Sequence, residues 1–270
     1  MAYTNIDDPS AYFQTATYTG AGANQTVTND GNSDLQPDFL WIKRRNAGYG
    51  HVLVDSNRGL GSSNPPYLAS EATDAENSNQ NWISGVGTDG FTIGINEQNL
   101  SNTSGTYVAW QWKANGGTTS SNTDGDITST VQADTDAGFS IMTYAGTTGD
   151  VHTIGHGLGV TPDVWIVKQR SNGGSFQDWF FWHKDMAASN VVDNRMLFLN
   201  STAAVATYTG INAVTSSTIR VKSSTTAQNG YNYVAYAFAE KQGYSKFGSY
   251  VGNGTGTSDG TFDGTFVYTG

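Results

Sequence analysis

The stretch PDFLWIKRR at residues 37–45 returns as PDVWIVKQR at residues 162–170. In each copy Pro-Asp precedes a run of four apolar residues, and Lys and Arg follow the run. A short apolar run without alternation is typical of a strand that is buried on both faces, and proline is tolerated at the start of such a strand. The sequence therefore predicts one central core strand that occurs twice.

Further matched segments extend this repetition along the chain. TYTG at residues 17–20 matches TYAG at residues 143–146, and TYVAWQWKA at residues 106–114 matches NYVAYAFAE at residues 232–240. The offset stays at 125 or 126 residues, whereas solenoid repeats recur every roughly 20 to 50 residues. The pattern favours tandem copies of a whole domain over the turns of a β-helix.

We therefore predict a first domain at residues 1–120 and a second at residues 121–248. The polar stretch NGGTTSSNTDGD at residues 115–126 has the composition of a linker between them. Residues 249–270 begin with SYVGNG, which resembles the start of each repeat. We expect these last residues to form a connector or the start of an incomplete third repeat.

The composition and the alternation of apolar residues predict an all-β fold. In the last strand of each repeat the alternate positions carry large apolar side chains, which indicates a core role: Val108, Trp110 and Trp112 in the first, and Val234, Tyr236 and Phe238 in the second. Turn signals rich in Gly, Asn and Asp separate the runs. We predict two tandem antiparallel β-sandwich domains, jelly-roll or lectin-like, with little helix beyond a short candidate at residues 184–190.

Charge and cysteine content exclude several classes of function. The 13 Lys and Arg residues stand against 23 Asp and Glu residues, and the net charge of −10 opposes binding to nucleic acid. Apolar runs are too short for membrane insertion, and the first residues lack the layout of a signal peptide. Because the chain has no cysteine, it contains neither disulfides nor a cysteine-based zinc site.

Six segments together resemble a family of tandemly repeated domains in virion proteins of marine tailed bacteriophages. The segments are MAYTNIDDPSAYFQ, DGNSDLQPD, GFSIMTYAG, GHGLGVTP, YVAYAFAE and YSKFGSYVGNG, and the resemblance covers nearly the whole chain. It implies a structural component of the virion, in a tail fibre or another surface appendage. The family carries no agreed catalytic residues, and its members often continue into further copies of the domain.

Residues able to carry catalysis or bind metal occur without the partners that such chemistry needs. His152 and His156 have a spacing that suits a metal on a helix, but their segment is Gly-rich, lies just before a strand, and has neither a third His nor a Cys nearby. His183 and Asp185 align with Asp55 and Asn57 of the first repeat, so this pair is not a feature of the shared fold. We expect no enzyme activity, no metal site and no cofactor.

Carboxylates show no catalytic arrangement either. The DGD at residues 124–126 lacks the other ligands of a calcium loop and is interpreted as a turn. The glutamates, which a glycosidase would need in an opposed pair, lie in unrelated segments. They are Glu71, Glu76, Glu97 and Glu240.

Aromatic residues outside the shared template are the candidates for carbohydrate binding, because loops vary while a scaffold persists. They are Trp82, Trp179 and Trp182. Against this interpretation, Trp179 and Trp182 belong to the apolar run DWFFW, which most simply packs inside. The basic residues after the repeated strand, at residues 43–45 and at Lys168 and Arg170, are expected either to end the strand or to meet an acidic neighbour in an assembly.

The expected function is that of a non-enzymatic structural protein of a phage virion, in a tail fibre or surface appendage, acting in assembly and in host attachment. Expected partners are other virion proteins, further copies of the chain as a homo-oligomer such as a trimer, and a host surface glycan. The expected location is the virion, assembled in the host cytoplasm. The alternatives are a carbohydrate-binding host-recognition module and a polysaccharide-degrading enzyme.

Overall fold

The computed structural model describes residues 4, 6–78, 82–174, 177–186, 195–208 and 214–251. These residues form seventeen strands and three short 3-10 helices, and no α-helix occurs among them. The strands are β1 (Phe13–Thr19), β2 (Gln25–Val27), β3 (Phe39–Arg44), β4 (His51–Asp55), β5 (Ile83–Val86), β6 (Phe91–Ile93), β7 (Thr106–Trp112), β8 (Ser120–Asn122), β9 (Ser129–Asp134), β10 (Phe139–Ala145), β11 (Val151–Gly155), β12 (Val164–Gln169), β13 (Phe180–His183), β14 (Arg195–Phe198), β15 (Ala206–Thr207), β16 (Thr218–Lys222) and β17 (Asn232–Phe238). The predicted all-β antiparallel fold is confirmed.

The 3-10 helices are single turns at Pro9–Ala11, Ser56–Arg58 and Lys184–Met186. The last of these is the start of the segment predicted to be a short helix, and residues 187–190 lie outside the described residues. In the described part of the chain, no helix is long and apolar enough to cross a membrane.

The first repeat, β1 to β7, is a sandwich of two antiparallel sheets. A four-stranded sheet in the order β1-β7-β3-β4 packs against a three-stranded sheet in the order β2-β6-β5. Leu40 and Ile42 of β3 are fully buried between the sheets with Phe91 and Ile93 of β6. Burial of these side chains is the main favourable contribution to this layer, at roughly 1.5–3 kcal/mol each.

The second repeat, β10 to β17, has the same strand order and the same register. Strands β10, β17, β12 and β13 are neighbours in the order of β1, β7, β3 and β4. Phe39 lies opposite Trp112 in the first repeat, and Val164 lies opposite Phe238 in the second. The large sheet of the second repeat is wider, because β14 and β15 extend one edge and β9 and β8 extend the other. Strands β11 and β16 form the small sheet of this repeat.

The Pro-Asp pair that opens each repeated phrase has the same task in both copies. The Asp38 amide donates to the Trp112 carbonyl, and its Oδ2 accepts from the Ala114 amide at 2.6 Å. The Asp163 amide donates to the Phe238 carbonyl, and its Oδ2 accepts from the Glu240 amide at 2.7 Å. The aspartate therefore fastens the end of the last strand to the start of the central strand.

Strand β12 is buried on both faces, as its sequence predicts, whereas in β3 Trp41 and Lys43 are half-buried on one face. In β12, Trp165 and Val167 belong to the core of the second repeat, whereas Ile166 lies on the opposite face with Phe39 of β3. That opposite face is where the two repeats meet. The inter-repeat core consists of Phe39, Leu53, Leu68, Ala114, Phe139, Ile141, Ile166, Trp179, Val234 and Tyr236.

The alternate residues of the last strands point toward this same face. Val234 and Tyr236 are fully buried there, while Trp112 is half-buried against the core. Trp110 is also half-buried, edge-on to Trp41 with ring centroids 6.3 Å apart. Trp112 and Phe238 pack against the inter-repeat core, whereas Val108 and Trp110 are half-buried and belong to none of the apolar cores, so the predicted core role holds fully only for Val234 and Tyr236.

The region between the repeats is more ordered than a flexible linker. Ser120–Asn122, inside the stretch expected to be a linker, form β8 and pair with β9. Apolar contacts of the inter-repeat core also join the two sides of this region. The domain boundary near residue 120 therefore stays a prediction. Of residues 249–270, the described part ends at residue 251, so the expected connector lies almost entirely outside the described residues.

Candidate functional site

A buried polar cluster lies at the edge of the inter-repeat core. Arg58 Nε donates to Asp55 Oδ2 at 2.7 Å, and Tyr236 Oη of the second repeat donates to the same oxygen at 2.6 Å. Burial opposes the charge on Arg58, but Asp55, Tyr236 and Glu76 raise its pKa above the ordinary value. Since an unpaired charge is costly in such a place, this cluster fixes how the repeats face each other.

The loop at residues 66–78 of the first repeat is fastened to the second repeat. Arg170 makes a bidentate ion pair with Glu76, with both N–O distances at 2.9 Å, and the Glu76 amide donates to the Arg170 carbonyl at 2.8 Å. Lys168 Nζ donates to the Thr73 carbonyl at 3.0 Å. Arg170, directly after β12, therefore meets an acidic partner within the chain itself, whereas Lys168, inside β12, donates to backbone carbonyls.

An open cleft of about 420 Å3 lies between this loop and the second repeat. Its lining is polar apart from one ring and two alanines: Tyr67, Ala69, Asp74, Ala75, Glu76, Asn77, Ser78 and Asn172. The Tyr67 ring stacks on Trp82 with centroids 4.1 Å apart and planes at 25°. Backbone hydrogen bonds between Tyr67 and Asn77, at 2.9 and 3.0 Å, hold the ring and the amide on one wall.

Electrostatics at the cleft are negative at the rim and positive beneath it. Burial raises the pKa of Tyr67, and Glu97, Asp74 and Glu71 raise it further. Burial lowers the pKa of Lys168 to about 8, although Asp178 and Asp74 act in the opposite direction. The rim is therefore unfavourable for anions, and it offers amide, hydroxyl and carboxylate groups that bind hydroxyl-rich ligands.

The three predicted tryptophans occupy different places. Trp179 is fully buried in the inter-repeat core, where its Nε1 donates to the Ala69 carbonyl at 2.8 Å. Trp182 lies in the core of the second repeat, stacked on Trp165. Neither offers an exposed ring face for stacking on a sugar, so neither enters the candidate site.

Trp82 lies next to the cleft but beneath it. Its exposed fraction is 9%, and it supports the ring of Tyr67, which is the aromatic side chain that lines the cleft. Sequence reasoning missed Tyr67, Asp74, Asn77 and Asn172 as site residues. The one available signal was that Tyr67 is an aromatic residue without an aromatic counterpart: Leu68 lies opposite Leu53 as Leu197 lies opposite Phe181, so Tyr67 corresponds to Met196.

The histidines are engaged in local structure. His152 Nδ1 lies 2.8 Å from Asp126 Oδ2, and its Nε2 lies 3.0 Å from the Thr148 carbonyl oxygen. His156 is fully buried, with its Nδ1 accepting from the Leu158 amide at 3.2 Å. Within the described ranges, no three His, Asp or Glu side chains form a group that could hold a metal ion.

The candidate carboxylates also have structural partners. Burial alone would raise the pKa of Asp126, but hydrogen bonds from Thr153 and the contact with His152 lower it to about 2. Glu240 pairs with Lys184 at 2.5 Å, and Asp55, which aligns with His183, is the buried partner of Arg58. Register supports that alignment, because Asp55 lies opposite Phe39 as His183 lies opposite Val164.

Comparison with protein families gives one match that extends over both repeats. A family model described as "Domain of unknown function (DUF7483)" matches residues 8–270, so the chain belongs to that family. No curated protein and no solved structure matches the chain.

Proposed function

We propose that this member of the family is a non-enzymatic structural protein of a phage virion, placed in a tail fibre or surface appendage. The observation that carries the proposal is the joining of two sandwiches with the same central strand order into one block by a shared apolar core. The phage assignment itself comes from the sequence motifs that resemble virion proteins. In this role the chain acts in assembly with other virion proteins and further copies of itself.

The inter-repeat contacts suit a part that must resist mechanical force. The Phe39 ring of one repeat stacks on the Tyr236 ring of the other at 4.5 Å, and Asn57 Nδ2 donates to the Thr130 and Ile141 carbonyls at 2.9 Å. Apolar contacts oppose separation of the repeats, and directional hydrogen bonds oppose sliding. Such a block transmits orientation from one neighbour to the next, which an appendage requires.

Quantitative mass spectrometry of purified phage particles, with immunogold labelling by antibodies raised against the recombinant chain, tests this role. We expect a fixed copy number per particle and label at one defined location. Abundant protein in the infected-cell lysate without any in washed particles would refute a virion role.

A second function, carbohydrate binding, is favoured by the cleft. Pockets for small ligands have volumes of about 300–1,000 Å3 and combine an aromatic face with a few convergent polar groups. The cleft has one ring, Tyr67, and exposed polar side chains at Asp74, Asn77, Ser78 and Asn172. We propose that a neutral sugar of the host surface stacks on Tyr67 and hydrogen-bonds to these groups.

A glycan array followed by calorimetric titration tests the second function. Tyr67→Ala and Asp74→Asn are expected to abolish or weaken binding, whereas Tyr49→Ala, a control at an aromatic residue that does not line the cleft, is expected to leave it unchanged. Binding that survives both cleft variants would contradict this assignment. A reducing-sugar assay on any glycan that binds separates recognition from degradation.

A further inference from the structure

Comparison of the repeats exposes one difference at the edge of the first sheet. In the second repeat β10 pairs with β17 on one side and with β9 on the other. In the first repeat the equivalent strand β1 pairs with β7 alone, and no strand among the described residues covers its other side. The same strand therefore has a neighbour in one repeat and an open edge in the other.

Backbone geometry shows which groups the open edge presents. The Gly20 amide donates to the Gly105 carbonyl and the Lys113 amide donates to the Tyr12 carbonyl, so the even-numbered residues of β1 carry the bonds to β7. Because antiparallel ladders alternate, Thr15 and Thr17 direct their N–H and C=O groups outward. Their counterparts on β10 in the second repeat lie opposite residues of β9.

The edge lacks the features by which proteins protect exposed strands. From Phe13 to Thr17 the sequence FQTAT has no proline, no charged residue and no register shift. Thr15 and Thr17 are exposed, and threonine favours extended structure. Within the described part of the chain, Thr19 is the one position of β1 where a side chain, Gln25 Nε2, donates to an outward carbonyl, at 2.8 Å.

The tandem arrangement indicates what occupies this edge. The segment that follows the first repeat supplies β8 and β9, and β9 covers the first strand of the next repeat. The segment that follows the second repeat begins Ser249-Tyr250-Val251; besides its likeness to TYTG and TYAG, it shares serine and valine with Ser129-Thr130-Val131 at the start of β9, and it follows its repeat as β8 and β9 follow theirs. Tyr250 is 69% exposed, so its ring is accessible to a second molecule.

We propose that the open edge of β1, Phe13 to Thr17, binds the C-terminal segment, residues 249–270, of a second copy as an added strand. This contact repeats, between two molecules, the pairing that β9 makes with β10 within one molecule. It joins the tail of one copy to the first sheet of the next, which is a head-to-tail contact. This inference rests on the proposed structural role and names the partner for assembly.

Disulfide cross-linking between full-length chains tests the inference in a background that has no native cysteine. Chains with Thr17→Cys are mixed with differently tagged chains with Tyr250→Cys or Phe266→Cys and oxidised mildly. We expect mixed dimers in non-reducing gels. The matched control is Thr92→Cys on β6, a central strand, which is expected to give none.

A blocking substitution in the acceptor chain separates strand addition from random collision. Thr15→Pro removes an outward N–H without removing a bond to β7, and is expected to abolish the mixed dimer. Thr15→Lys, which places a charge at the edge and keeps the backbone intact, serves if the proline variant does not fold. Cross-links that persist in the folded blocking variant, or that equal the Thr92 control, would overturn the inference.

The outcome is independent of the test of the virion role. Chains that are found in particles but do not cross-link would leave the structural role standing and refute the strand contact. Chains that cross-link specifically but are absent from particles would do the reverse.

Discussion

Tyr236→Phe is the smallest change that tests whether the two repeats act as one unit. It removes one oxygen, which donates to the buried Asp55 carboxylate at 2.6 Å and accepts from Arg58 Nη2 at 3.3 Å. The ring keeps its place against Phe39, with centroids 4.5 Å apart. The substitution therefore probes the polar contact between the repeats with little change in packing.

The magnitude follows from what Asp55 retains. Its carboxylate keeps two donors, Arg58 Nε at 2.7 Å and the Arg58 amide at 2.9 Å, and loses the third. A hydrogen bond to a charged group contributes about 1.5–3 kcal/mol, so we expect the free energy of unfolding to fall by about 2 kcal/mol. For a chain of this size that is a decrease in Tm of about 4–8 °C.

Urea unfolding followed by tryptophan fluorescence and by circular dichroism measures this loss. If the repeats unfold together, both probes shift to the same lower midpoint and the m-value stays unchanged. Tyr49→Phe, at a residue that is 40% exposed, is the control and should change stability by less than about 0.5 kcal/mol. A loss no larger than this control, or a shift in one of two separate transitions, would refute the reasoning.

The remaining predictions concern charge and pH. Glu76→Gln is expected to lower the free energy of unfolding by about 1 kcal/mol, since its ion pair with Arg170 is partly exposed; urea unfolding should show a smaller loss at high salt, and an unchanged loss would argue against an ionic origin. Stability should rise between pH 8 and 10, because the pKa of Lys168 is about 8 in the folded chain against an ordinary 10.5, so the unfolded chain binds more protons in that window. Above pH 10 the trend should reverse, because burial raises the pKa of Tyr236 in the folded chain and this tyrosine ionises first in the unfolded chain. Urea titrations at several pH values should show that Lys168→Met removes the rise, and a rise that persists would assign it to another group. As the pH falls from 3.8 to about 2, the stabilisation by Asp126 should disappear, because its folded pKa is about 2; Asp126→Asn should flatten the acid limb of the stability curve, and an unchanged limb would contradict this.

Asp55 and His183 show that equivalent positions of the two repeats carry side chains with different roles. His183, in the second repeat, is half-buried and accepts from the Asp185 amide at 3.1 Å. Both residues end the strand that pairs with the central strand. In the first repeat this position faces the second repeat, so it carries a buried carboxylate that pairs with Arg58 and Tyr236.

The sequence by itself determined the all-β class, the repeated order of strands and the burial of β12 on both faces. These features are encoded locally, in a repeated phrase and in a period-two alternation that needs no knowledge of distant contacts. The Pro-Asp pair is local in the same sense, and its equal task in both repeats follows from its equal place in the phrase.

Only the tertiary structure decided which faces meet and where a site forms. Trp179 and Trp182 look alike in sequence, since both are aromatic residues outside the shared template. The packing of one repeat on the other buries Trp179 against Ala69, and the aromatic side chain that lines the cleft is Tyr67. Arg58 and Tyr236 are separated by 178 residues in the sequence, and no local pattern encodes such a pairing. The physical reason is that the burial of a residue depends on the surface that packs against it. Equivalent residues of the two repeats therefore have different neighbours once the repeats pack together.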